Sequence, residues 1–194
     1  MNCPLNAGGI MKDSISARAA IVGAASNVKR YTVKLSVNSA TQEVIFKEGS
    51  DEYNNSSEGP ILYIRYRSKN NLLYIGECEK KYRVESGFYI EKKAKKRKMP
   101  AAPYYFLNDE AFKIHYVDVY QLDPSIYGKS KSNREKLEQY VRIGIEIYTG
   151  QKPKFNNDPN SKNFPRHIID TGNQIICDMM RRGIINTKCI TEER

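Results

Sequence analysis

The chain contains no tryptophan, only two histidines among 194 residues, and four cysteines. Cys3, Cys78, Cys177 and Cys189 stand apart, without the paired spacing of a zinc module or the density of a disulfide framework. Neither device is therefore expected to organise the fold, and a reducing compartment is. Nowhere do about 18 apolar residues follow one another, which excludes a membrane-spanning helix. The first residues also lack the apolar centre of a secretory signal, so a cytoplasmic protein with no membrane partner is expected. Acidic residues are in deficit: 22 Asp and Glu face 32 Lys and Arg, a net charge of +10, with an isoelectric point near 9.3. That imbalance favours a polyanionic partner, nucleic acid first. No internal repeat is visible. The length suits one substantial domain, or a small domain with additions at both ends. With tryptophan absent, aromatic packing and base or phosphate contacts fall largely to 14 tyrosines.

Periodicity gives a sequence of expected elements. Asp13 or Ser14 caps a helix over 15–28, with Ile15, Ala19, Val22 and Ala25 on one side. Tyr31 to Val37 alternates apolar with polar, residues 38–40 turn, and Val44 to Phe46 returns as a second strand. This hairpin either extends a central sheet or forms an accessory lobe, and a polar linker over 48–59 follows it. Ile61 to Tyr66 and Leu72 to Ile75 flank the turn Ser68-Lys69-Asn70-Asn71, a second hairpin that brings Tyr63 and Tyr74 onto one surface. The charged segment 77–84 reads as helical. Residues 91–98 carry Lys92, Lys93, Lys95, Lys96, Arg97 and Lys98, a run suited to following a phosphate backbone. A further strand is expected over 112–120 and a polar connection over 121–132. Asn133 then caps a helix from Arg134 to about Tyr148, with Leu137, Tyr140, Val141, Ile145 and Tyr148 as its apolar stripe, ended by Gly150 and Pro153. Residues 164–182 hold another helical pattern, with Ile168, Ile175 and Met179, broken near Gly172.

Five features occur in order: Ile61-Leu62-Tyr63, Tyr74-Ile75-Gly76, Arg83, Glu138 in the long helix, and Asn156 closing Lys152-Pro153-Lys154-Phe155-Asn156. Together they resemble the GIY-YIG nuclease domain, over roughly residues 60–157. The second triad matches fully, while the first reads Ile-Leu-Tyr in place of Gly-Ile-Tyr. Many members also carry a histidine just after the arginine, and here the two histidines are His115 and His167. The resemblance implies an α+β fold with a small, mixed or antiparallel three-stranded central sheet flanked by helices. Residues 1–58 would be an N-terminal helix and hairpin extension, 59–157 the catalytic core with a basic insertion at 84–103, and 158–194 a C-terminal helical extension.

The implied function is a metal-dependent DNA endonuclease that hydrolyses phosphodiester bonds, of the stand-alone restriction or phage type. A catalytically inactive nucleic-acid-binding module of the same fold is the alternative, and a basic structural protein a third reading. In the resemblance Glu138 holds Mg2+ or Mn2+, a hard cation that prefers oxygen ligands. Arg83 meets the scissile phosphate with its planar fork, and Asn156 braces the site. Tyr63 serves as general base, a role that needs a cation close by because a free phenol ionises only near pH ~10. Tyr74 orients the phosphate or the attacking water. Lys80 and Lys81 add positive field beside the site, and the basic residues from Lys92 to Lys98 bind nucleic acid. The partner is double-stranded DNA, and cutting both strands calls for a homodimer or sequential nicking.

Overall fold

A computed structural model describes residues 28–38, 44–54, 59–80, 113–153 and 163–186. The expected helix over 15–28 lies, apart from its last residue, outside the described residues. Strand β1 (Arg30–Val37) and strand β2 (Val44–Glu48) form the first hairpin, and a short helix α1 (Ser50–Asn54) occupies the expected linker. Strands β3 (Ile61–Tyr66) and β4 (Leu72–Cys78) form the second hairpin, and β5 (His115–Gln121) follows. A wide π-type turn (Pro124–Gly128) leads into helix α2 (Lys131–Thr149), and helix α3 (Arg166–Arg181) comes last. Among the described residues no helix is long and apolar enough to cross a membrane.

The sheet corrects the expectation of three strands. It has five, in the order β2-β1-β5-β3-β4, and every neighbouring pair is antiparallel. The reason lies in β5, which offers a ladder on both sides. Val117 pairs with Arg65 of β3 and with Val33 of β1, and Val119 pairs with Tyr63 and with Tyr31. The first hairpin thus extends the central sheet and covers an edge that β5 would otherwise leave open. Of the two placements open in the sequence, the accessory lobe drops out.

Side-chain alternation gives the sheet two buried faces. Leu62, Ile64 and Tyr120 meet Leu137, Tyr140, Val141 and Ile145 of α2 and Ile168, Ile175 and Met179 of α3. On the other face Val33, Leu35, Ile61, Leu73 and Val117 pack around Tyr53 of α1, which is fully buried.

Several boundaries move, each for a local reason. Glu77 and Cys78, expected in a charged helix, continue β4 by pairing with Leu62 and Ile61; residues 81–84 lie outside the described residues. α2 begins earlier than expected because Ser130 is its cap, its Oγ accepting the Asn133 N–H at 3.2 Å. Asn133 instead sends its side-chain amide to the Ile126 carbonyl at 3.1 Å. Gly150 ends α2 as expected, in the left-handed conformation at φ 67°, its N–H donating to Glu146 O. α3 runs unbroken through Gly172, the residue expected to interrupt it. There the Tyr140 ring lies so close that a Cβ on residue 172 would stand 2.3 Å from Tyr140 Cδ1. The glycine is a seat for α2, and Tyr140 Oη anchors the contact by donating to Asn173 Oδ1 at 2.8 Å.

Candidate active site

Tyr63 and Tyr74 are positioned by the register of the second hairpin. Tyr63 stands opposite Gly76, and Tyr74 opposite Arg65, so both rings rise from the same side of the β3–β4 ladder. Their centroids are 5.9 Å apart with planes inclined by 39°. The space they share lies over Gly76. A Cβ at that position would fall 2.5 Å from Tyr63 Cζ and Oη and 2.7 Å from Tyr74 Cε1. This is the close approach that a glycine inside a strand permits.

The rings pack on the face that holds Tyr53 of α1. Glu138 belongs to α2, whose apolar stripe covers the opposite face, and its carboxylate acts electrostatically on both phenols. Burial pushes its carboxyl up to about 7, Arg142 draws it back, and Glu77 adds to the rise. Arg142, one turn further along α2, lies with Nη1 3.3 Å from Glu138 Oε1. Tyr74 is pushed up to about 12, first by burial and then by the Glu138 carboxylate. Arg65, Arg142 and a hydrogen bond with Tyr63 work in the opposite direction. Burial raises Tyr63 further still, with Tyr74 and Glu138 adding to the effect and Arg65 opposing it. Tyr74 is therefore the phenol that ionises more easily, and Tyr63 the one that keeps its proton.

Two arginines belong to this cluster that sequence reading did not single out. Arg65 follows Tyr63 by two positions on β3, hence on the same face. Arg142 follows Glu138 by four on a helix, the spacing at which side chains meet. Both spacings were available signals. Arg134 is structural. Its Nε bonds Glu77 Oε2 at 2.6 Å, while Nη1 donates to the carbonyls of Tyr127 and Gly128 at 2.7 and 3.0 Å. It ties β4 to the turn before α2 and occupies the carboxylate that acts on Glu138.

Lys80 is exposed just beyond β4. Arg83, Asn156, Lys81, Lys92, Lys93, Lys95, Lys96, Arg97 and Lys98 lie outside the described residues. Of the expected catalytic set, Tyr63 and Tyr74 are brought together, and the Glu138 carboxylate acts on both phenols.

A metal here would meet a sparse donor set. Among the described residues no group of three or more His, Cys, Asp or Glu is arranged to hold a metal ion. That set does not suit a closed, all-protein cage. A hard cation that keeps most of its water needs only one carboxylate, and Glu138, which shares its charge with Arg142, is the residue that would supply it.

A second charged cluster lies elsewhere on the sheet. Asp118 on β5 is fully buried and accepts from Thr32 Oγ1 at 2.7 Å, and from Nη1 and Nη2 of Arg182 at 2.5 and 3.1 Å. Asp178 accepts from Tyr120 Oη at 2.9 Å and pairs with Arg30 Nε at 3.1 Å. Charges of opposite sign are matched here, and the cluster joins β1, β5 and the end of α3. Comparison with protein-family models, curated proteins and solved structures finds no match to this chain.

Proposed function

We propose that the chain is a metal-dependent DNA endonuclease of GIY-YIG type, hydrolysing phosphodiester bonds at the Tyr63, Tyr74 and Glu138 cluster. The observation that carries this reading is that two tyrosines on adjacent strands, over a glycine with no room for a side chain, feel the charge of one half-buried carboxylate on α2. The order of residues along the sequence points to the same three side chains.

In this reading Tyr74, the more easily ionised phenol, first gives its own proton to solvent and then, as the phenolate, takes the proton of the attacking water. Tyr63, which holds its proton more tightly, keeps Tyr74 in place through their hydrogen bond. The base role expected of Tyr63 thus passes to its neighbour. Mg2+ or Mn2+ at Glu138 would supply positive charge toward the phosphoryl oxygens and the phenolate. Arg142 shares Glu138 and acts on Tyr74, so it is a cation next to the place a phosphate would occupy. The net charge of +10 supplies attraction to double-stranded DNA. A cytoplasmic setting, a restriction or phage role, and a homodimer for double-strand cleavage belong to the same reading.

The test is cleavage of supercoiled plasmid with Mg2+, with Mn2+ or with EDTA. Nicking or linearisation that needs metal is expected. Salt-sensitive DNA binding with no cleavage under any condition would contradict the endonuclease and point to a nucleic-acid-binding module.

A further inference from the structure

Arg65 is 3% exposed, and burial brings its guanidinium down to about 10, so it stays charged at neutral pH. Its guanidinium carbon lies 5.5 Å from the centroid of the Tyr63 ring. Nη1 lies 3.2 Å from Nε2 of His115, which is fully buried. His115 Nδ1 is 3.0 Å from the Lys113 carbonyl oxygen. A carbonyl only accepts, so Nδ1 carries the ring proton and Nε2 is left to accept from the arginine. The tautomer follows from these two partners. His115 therefore holds Arg65 in place across the β3–β5 ladder, where it opposes the rise of both phenols.

We propose that Arg65 is a positioning residue for the tyrosine pair: seated by His115 against the Tyr63 ring, it supplies the fixed positive charge that allows the pair to give up a proton. The inference rests on the acid–base role given to Tyr74 above, with Tyr63 as its hydrogen-bonded partner. Phenol ionisation here sends the proton to solvent and leaves an anion within the field of a cation that cannot swing away. Among the described residues the other groups acting on Tyr63 are Tyr74, Glu138 and Cys78, none of them cationic. Arg142 joins Arg65 at Tyr74, and Tyr53 is a further phenol facing Arg65. Among the described residues Arg65 is thus the cation common to both members of the pair. A direct hydrogen bond to substrate is not part of this role, because the guanidinium is sealed from solvent.

The proton affinity of residue 63 reads the effect directly and needs neither DNA nor metal. The full chain is made with 3,5-difluorotyrosine at position 63, whose phenol ionises well below tyrosine, and titrated by 19F NMR. Arg65→Met is expected to raise the midpoint by about one pH unit, while Arg65→Lys, which keeps the charge, stays close to the parent. An Arg65→Met protein with unchanged circular dichroism and an unmoved midpoint would overturn the inference. An equal rise in Arg65→Lys would also overturn it, since packing would then be the cause. Should Arg65→Met not fold, Arg65→Gln keeps a donor toward His115 while losing the charge, and is read in the same way. A midpoint that moves in a protein that cuts no DNA keeps the inference and removes the nuclease. Cleavage together with an unmoved midpoint does the reverse.

Discussion

Glu138 keeps its proton up to about 7 in the folded chain, against 4.5 for an ordinary glutamate. Between those values the folded state binds more protons than the unfolded one, so stability falls as the pH rises through this window. Glu138→Gln, which has the same shape and cannot ionise, is expected to match the wild type at about pH 4 and to exceed it by about 2 kcal/mol at pH 8. Urea denaturation at the two pH values measures the gap; a gap that does not widen with pH contradicts the burial of this carboxyl. The residue was legible in the sequence through its place in a helix, as Tyr63 and Tyr74 were through their strands. Arg65 could be placed on the face of Tyr63 by its spacing, but its seat could not be read, because the partner that holds it, His115, is 50 positions away. Residue type and local spacing indicate a face, and only the strand order tells what shares it.

At the scale of elements, sequence and structure agree where periodicity and capping chemistry agree. The β3–β4 hairpin and the end of α2 at Gly150 follow from alternation, turn residues and a glycine that can adopt positive φ. They part where a residue obeys a distant neighbour. Gly172 looked like a break in α3 and is instead a seat for Tyr140 of α2. The two readings predict opposite signs for Gly172→Ala. Helix propensity alone predicts a gain of about 1 kcal/mol, whereas a methyl group driven into the Tyr140 ring costs about 1–3 kcal/mol. A lower melting temperature is expected, and a higher one would show that α2 and α3 do not meet as described. Glu77 was misread in the same way, since its charge suggested a helix while its pairing with Leu62 and its bond to Arg134 hold it, half-buried, in β4.

For the whole molecule, the α+β class was readable and the width of the sheet was not. The added strand β1 is held by contacts that join distant parts of the chain: Thr32 reaches Asp118 across 86 positions, and Arg182 reaches Thr32 across 150. Such pairings leave no local pattern. Asp118→Asn would leave Arg182 and Arg30 facing a neutral side chain, and a loss of about 3 kcal/mol is expected. Denaturant unfolding measures it, and a loss within experimental scatter would mean that the cluster does not hold the sheet to α3. The cluster is also remote in role from the Tyr63 and Tyr74 pair, so this variant separates folding from chemistry.

The account turns on those two tyrosines and Glu138 acting together on a phosphodiester. Single-turnover cleavage of a DNA duplex in Mn2+, by folded Tyr74→Phe, Tyr63→Phe and Glu138→Gln beside the wild type, tests this most directly. Losses of about 100-fold or more are predicted for Tyr74→Phe and Glu138→Gln, with a smaller loss for Tyr63→Phe, whose partner keeps its own hydroxyl. Wild-type rates in Tyr74→Phe and Glu138→Gln would contradict the assignment of this cluster as the place where the bond is cut.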